Sequence, residues 1–125
     1  ADEAVMLNEF GRVACAAAAN VFVVRADGVA TPPTGEGALP GVVRGVILRQ
    51  ARKRGVRLEE RAIERDELSA GGVFLTNSLI GLRPAVLADA SPPRKGGPAR
   101  RRILKTLQVC YEEYLQRDLA KRRGR

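Results

Sequence analysis

From Val43 onward, apolar positions fall at Val43, Val46, Ile47 and Ala51, with Gln50 on the same face. That i, i+3, i+4 spacing predicts an amphipathic helix. Arg49, Arg52 and Lys53 crowd its far end, where cations favour the helix dipole, and Gly55 is a natural stop. A second stripe, Ile103, Leu107, Cys110, Tyr114 and Leu115, predicts a terminal helix over 98–121. Elsewhere the pattern shortens to β-prone runs. "VFVV" (21–24) and "VFLT" (73–76) read as buried strands, and "VRLEERAI" (56–63) alternates like a half-exposed one. "NSLIGLRPAVLA" (77–88) reads as a turn leading into a further strand. "EFGRVACAAAANVFVVRADG" (9–28) predicts an extended hairpin turning at Gly11, and Asp27-Gly28 favours a type I′ turn after it. Residues 1–10 read as the end of a helix or a loop, and "ERDELSAGG" (64–72) as a short helical turn.

Proline and glycine divide these elements. "TPPTGEGALPG" (31–41) is a loop, and 91–97 is a linker before the terminal helix. The order is strand–strand–helix–strand–helical turn–strand–strand–helix. It predicts a single α/β (α+β) domain over 1–125, with a mixed β-sheet packed against helices.

Composition narrows the chemistry. No apolar run reaches the roughly 18 residues that span a bilayer. The start is acidic and lacks the basic region of a secretory signal, and two cysteines do not make a disulfide framework. A cytoplasmic protein without a membrane partner is expected. The chain has no histidine, which removes the usual general base and zinc ligand, so no metal site is expected. The net charge of +8 gathers in "ARKRGVR" (51–57), "PRKGGPARRR" (93–102) and "KRRGR" (121–125). With aromatics at only 4% and none among these clusters, a base-stacking nucleic-acid platform is not expected.

Two segments carry candidate chemistry. "LPGVVRG" (39–45) opens the first helix with proline and glycine, leaving its amide groups available to an anion. "FLTNSL" (74–79) runs a buried strand into small polar residues. There Thr76, Asn77 and Ser78 either present donors to a ligand or simply close an Asx-type turn.

These segments, with "EFGRVACAAAANVF" and "DELSAGGVFLTNSLIGLRPAV", resemble in order and spacing the fold-type IV pyridoxal-phosphate enzymes. That family holds branched-chain and D-amino-acid aminotransferases and aminodeoxychorismate lyase. The resemblance covers about residues 1–90 and matches the family's C-terminal domain. It implies pyridoxal 5′-phosphate as cofactor, an amino acid or aminodeoxychorismate as substrate, and a homodimer. Gly41, Val42 and Val43 match the helix start that holds the cofactor phosphate. Asn77 and Ser78 match the second phosphate turn, and Asn20 a position beside the cofactor. The Asn-Ser pair favours the lyase, which releases pyruvate and leaves 4-aminobenzoate. The alternatives are a branched-chain or D-amino-acid aminotransferase, or a non-catalytic relic acting as a binding or oligomerisation module.

Three departures accompany the resemblance. Cys15 stands where the family usually has a glutamate for the pyridine nitrogen. Val43 stands where threonine is common. The family's cofactor-binding lysine lies upstream of the matched segment, in an N-terminal part that this chain is expected to lack. No catalytic residue is therefore expected within it, and the chain alone is expected to be inactive.

Overall fold

The computed structural model describes residues 3–70, 72–86 and 97–123. The strands are β1 (Val5–Leu7), β2 (Val13–Ala16), β3 (Asn20–Arg25), β4 (Gly28–Thr31), β5 (Leu58–Glu60), β6 (Gly72–Asn77) and β7 (Gly81–Ala85). The helices are α1 (Val42–Lys53), α2 (Glu67–Ala70) and α3 (Pro98–Arg123), with one 3-10 turn at Thr34–Glu36. The 91–97 linker lies outside the described residues except for Gly97. No helix described is long and apolar enough to cross a membrane.

Five strands form a mixed sheet in the order β5-β4-β3-β6-β7. Only β4 and β5 run parallel, and α1 makes the crossover that a parallel pair requires. The centre is β3, whose apolar run suits a strand covered on both faces. Strand alternation sends Phe22 and Val24 toward the helices. There they join Phe74, Val43, Ile47, Ala51 and Leu107 in one core. Phe22 and Phe74 are register partners, and their rings stack with centroids 4.7 Å apart. Val21 and Val23 point the other way, into a second core with Val13, Ala16, Ile63, Val73 and Leu75.

The expected helices are present, with one change of face. On α3, Leu107 and Cys110 are buried, while Ile103, Leu104 and Tyr111 pack against the core from its edge. Leu115 lies outside this core and is exposed. Tyr111 covers the start of β7, where a Cβ added at Gly81 would lie 2.5 Å from its ring. Arg54, just past α1, forms an ion pair with Glu113 of α3.

Three local expectations fail for identifiable reasons. Residues 1–10 contain a strand, because β1 pairs antiparallel with β2 around a turn at Gly11 (φ 73°). Asn8 stabilises that turn by accepting the Phe10 and Arg12 amides. The expected hairpin over 9–28 is divided, since β2 and β3 meet only at the Ala16–Ala19 bridge. Both edges of β3 are already taken by β4 and β6. The turn between β3 and β4 is centred on Ala26-Asp27, because Arg25 pairs with Gly28. No described non-glycine residue has positive φ, so this is not a type I′ turn. Gly28 is required instead by proximity: a Cβ there would lie 2.6 Å from the Arg57 carbonyl, which accepts the Val29 amide.

Ion pairs tie the β5–α2 region to the sheet. Glu67 accepts from Arg61 and Arg25 and from the Glu64 backbone amide. The Arg61 hydrogen bond chiefly holds the Glu67 carboxyl below its usual range, against an opposing effect of partial burial. A depressed folded-state pKa stabilises above the unfolded value, about 4.3, and that contribution is lost as pH falls through the folded value. Glu67→Gln should therefore be less stable than the parent at pH 7, by up to about 1 kcal/mol given partial exposure. The gap should shrink on acidification below about pH 4. Urea melts of both proteins at pH 7 and pH 3 measure it, and a gap that stays constant contradicts the assignment.

Candidate functional site

The first turn of α1 begins at Gly41, which is extended (φ −65°, ψ 149°) and offers no side-chain cap. The amides of Val42 and Val43 are therefore left as donors at the positive end of a twelve-residue helix. The Val43 side chain is buried in the core below and holds the turn against the sheet, while Val42 points outward. Gly41 is fixed by contact, since a Cβ there would overlap Asn20 Oδ1.

Asn20 is the first residue of β3 and is 5% exposed. Its Nδ2 donates to the Leu39 carbonyl at 2.8 Å, and that carbonyl also accepts the Gly41 amide. The loop and the helix start are thus held to the end of the central strand. Arg44, one residue beyond Val43, anchors the same turn from the other side. Its Nη2 donates to the Pro32 carbonyl at 3.2 Å and to Glu60 at 2.9 Å.

Across the sheet, Asn20 pairs with Thr76, and Asn77 pairs with Gly81. Asn77 is committed to its own turn: Oδ1 accepts the Leu79 and Ile80 amides at 2.9 and 2.7 Å. Its Nδ2 donates to the Ala18 carbonyl at 2.7 Å. The Asx-type reading of this segment therefore describes the Asn77 side chain. Ser78 is exposed at the tip of the turn. Thr76 is fully buried, and its hydroxyl has no hydrogen-bond partner. Leu39, Val42 and Leu79 form exposed apolar surface on these same loops.

The structure thus joins Asn20 to Gly41 directly and places Thr76 and Asn77 on the neighbouring strand at the same end. Cys15 sits apart on β2, half-buried, with its Sγ 4.0 Å from the Gly37 carbonyl. Of the described lysines, Lys53 ends α1, while Lys105 and Lys121 are exposed on α3. Sequence reasoning missed Arg44 and Glu60, whose pairing depends on the crossover and leaves no local spacing to read. A cleft of about 120 Å³ lies at the far end of β3, lined by Arg25, Asp27, Arg57 and Glu59 among others. Its arginines are ion-paired to Glu59 and Glu67, so it offers little free charge.

A helix start with open amides, held by Asn20 whose register partner Thr76 carries an unpartnered hydroxyl, suits a tetrahedral anion, which accepts from every side. A thiol at Cys15 does not supply the carboxylate expected for a pyridine nitrogen. The donor set therefore fits a phosphate better than it fits the ring of the implied cofactor.

The amino-transferase class IV model matches residues 1–87, and the chain belongs to that family, whose enzymes use pyridoxal phosphate. Among its relatives is the branched-chain-amino-acid aminotransferase of Pseudomonas aeruginosa, 36% identical over 113 residues, covering 89% of this chain and 36% of that protein. A solved branched-chain aminotransferase of Thermoproteus uzoniensis with norvaline is 32% identical with a TM-score of 0.75, covering 92% of this chain and 40% of that one. An aminotransferase of Brucella abortus, solved bound to the cofactor PLP, is 25% identical with a TM-score of 0.77, covering 90% and 39% respectively. The chain spans about a third of the length of curated relatives that it matches.

The Asn20–Gly41 contact gives a direct test. Gly41→Ala must displace Asn20 from Leu39, at an expected cost of about 1–3 kcal/mol. Asn20→Ala removes the obstacle along with the bond. In a denaturation cycle, the double variant should lose clearly less than the two single variants together. Strict additivity would show that the two residues act independently.

Proposed function

We propose that the first turn of α1 holds the phosphate of pyridoxal 5′-phosphate, and that this chain is the cofactor-binding part of an aminotransferase acting on amino acids. The carrying observation is the uncapped helix start pressed against Asn20, with Gly41 at the point of contact. Val42 and Val43 would donate backbone amides, which do not depend on the missing threonine hydroxyl. Ser78, on the adjacent turn, would contribute from the other side. When bound, the cofactor ring supplies an electron sink for bonds broken at the substrate carbon. Among the described lysines, Lys53 ends α1 and Lys105 and Lys121 sit on α3, while Lys95 falls outside the described residues; we place the covalent anchor in the part of the relatives that this chain does not span.

The aminotransferase reading has better support than the lyase reading. The Asn-Ser pair that favoured the lyase loses weight because the Asn77 side chain is consumed by its own turn. Curated relatives that the chain matches include branched-chain aminotransferases and a protein like them, which makes branched-chain amino acids the first donors to test.

Two measurements check this. The chain should bind inorganic phosphate and pyridoxal phosphate, and Ser78→Glu should weaken both at least tenfold by like-charge repulsion. Unchanged affinity would move the site elsewhere. A longer protein containing this chain should pass the amino group of leucine or valine to a 2-oxo acid. Release of 4-aminobenzoate from aminodeoxychorismate without amino transfer would restore the lyase reading.

A further inference from the structure

We infer that the Thr76 hydroxyl is a side-chain ligand of the anion held at the start of α1, an inference that rests on the phosphate reading above. Three observations converge on it. The first is position. Alternation along β6 puts Thr76 on the same face as Phe74, the face that carries α1 and α3. Its register partner is Asn20, and Asn20 touches Gly41. Thr76 therefore lies one strand from the open end of the helix, on the helix side of the sheet.

The second observation is an unmet bond. Thr76 is fully buried, and its Oγ1 has no partner. Buried hydroxyls normally find one. The other buried threonine shows the ordinary arrangement: Thr31, on β4, donates to the Val21 carbonyl at 2.7 Å. A hydroxyl serving only as core filler has no reason to remain unpaired, and valine would fill the same space.

The third observation is the shortage of other side-chain donors at this end. Gly41 has no side chain, Val42 and Val43 are apolar, and the Asn77 amide is spent on Ala18 and on its own turn. That leaves the hydroxyls of Thr76 and Ser78, with the Arg44 Nε that likewise has no partner, to supplement the backbone amides. Ser78 is exposed and Thr76 is enclosed. An anion that reaches Thr76 must be seated in the cradle itself, so Thr76 distinguishes a docked phosphate from one loosely attracted to a basic surface. Thr76 is a binding and positioning residue in this account and takes no part in the chemistry.

Thr76→Val separates this role from a structural one. Removing an unpaired buried hydroxyl should leave the urea midpoint of the ligand-free chain unchanged or raised. The same variant should bind inorganic phosphate and pyridoxal phosphate at least tenfold more weakly, by calorimetry or phosphorus NMR, while Thr76→Ser keeps parental affinity. Parental phosphate affinity in Thr76→Val overturns the assignment and leaves the phosphate site standing. Absence of phosphate binding by the unaltered chain at millimolar concentrations overturns both. Should Thr76→Val fail to fold, comparison of Thr76→Ser with Thr76→Ala gives the same decision, with lost affinity expected only in the alanine variant.

Discussion

One buried side chain organises the functional end of this domain. Asn20 donates to the Leu39 carbonyl, lies against Gly41 and pairs through its backbone with Thr76. It thereby joins the central strand, the proline-rich loop, the helix start and the neighbouring strand. A hydrogen bond of this kind contributes only about 0.5–1.5 kcal/mol net. Its structural effect is larger, because it sets the direction from which the chain enters α1. The open amides of that helix are useful only if their direction is fixed.

The opposite side of the same turn is fixed by charge. Arg44 is 6% exposed, and its guanidinium is shared between Pro32 and Glu60. Burying a cation is costly unless it is paired and hydrogen-bonded. Here the partners lie at the adjacent ends of two strands, Pro32 just past β4 and Glu60 the last residue of β5. The pair therefore ties the start of α1 to those strand ends, while Val43 and Ile47 anchor the helix to the Phe22–Phe74 stack. Apolar packing sets the depth of α1 against the sheet, and Asn20 and Arg44 set where it begins.

Much of this was legible in the sequence where side-chain periodicity is strong. The α1 stripe, the buried runs at 21–24 and 73–76, and the mixed sheet follow from apolar spacing alone. The failures arose where partners are distant or where a polar side chain replaces a backbone signal. Val5–Leu7 is a strand only because β2 lies beside it. The Asp27-Gly28 pair misled because Gly28 answers to the Arg57 carbonyl, not to the turn. At the site, the glycine at 41 and the asparagine at 20 were visible as separate residues, but their mutual contact was not. Asn77 had two readings in the sequence, and its three hydrogen bonds favour the turn.

The pairing of β3 with β6 has a consequence for how the domain is made. Phe22 and Phe74 are partners across a long stretch of chain, whereas β3 and β4 are joined by a two-residue loop. During synthesis the β3–β4 hairpin emerges early, while β6 emerges after the whole α1–β5–α2 segment. Non-local pairings of this kind are slow to form. Until β6 arrives, one edge of the run "VFVV" stands open, without charge or proline to guard it. Exposed apolar edges recruit other chains. The central strand that makes the finished domain firm is therefore also its chief hazard during folding, and prompt arrival of β6 is what retires it.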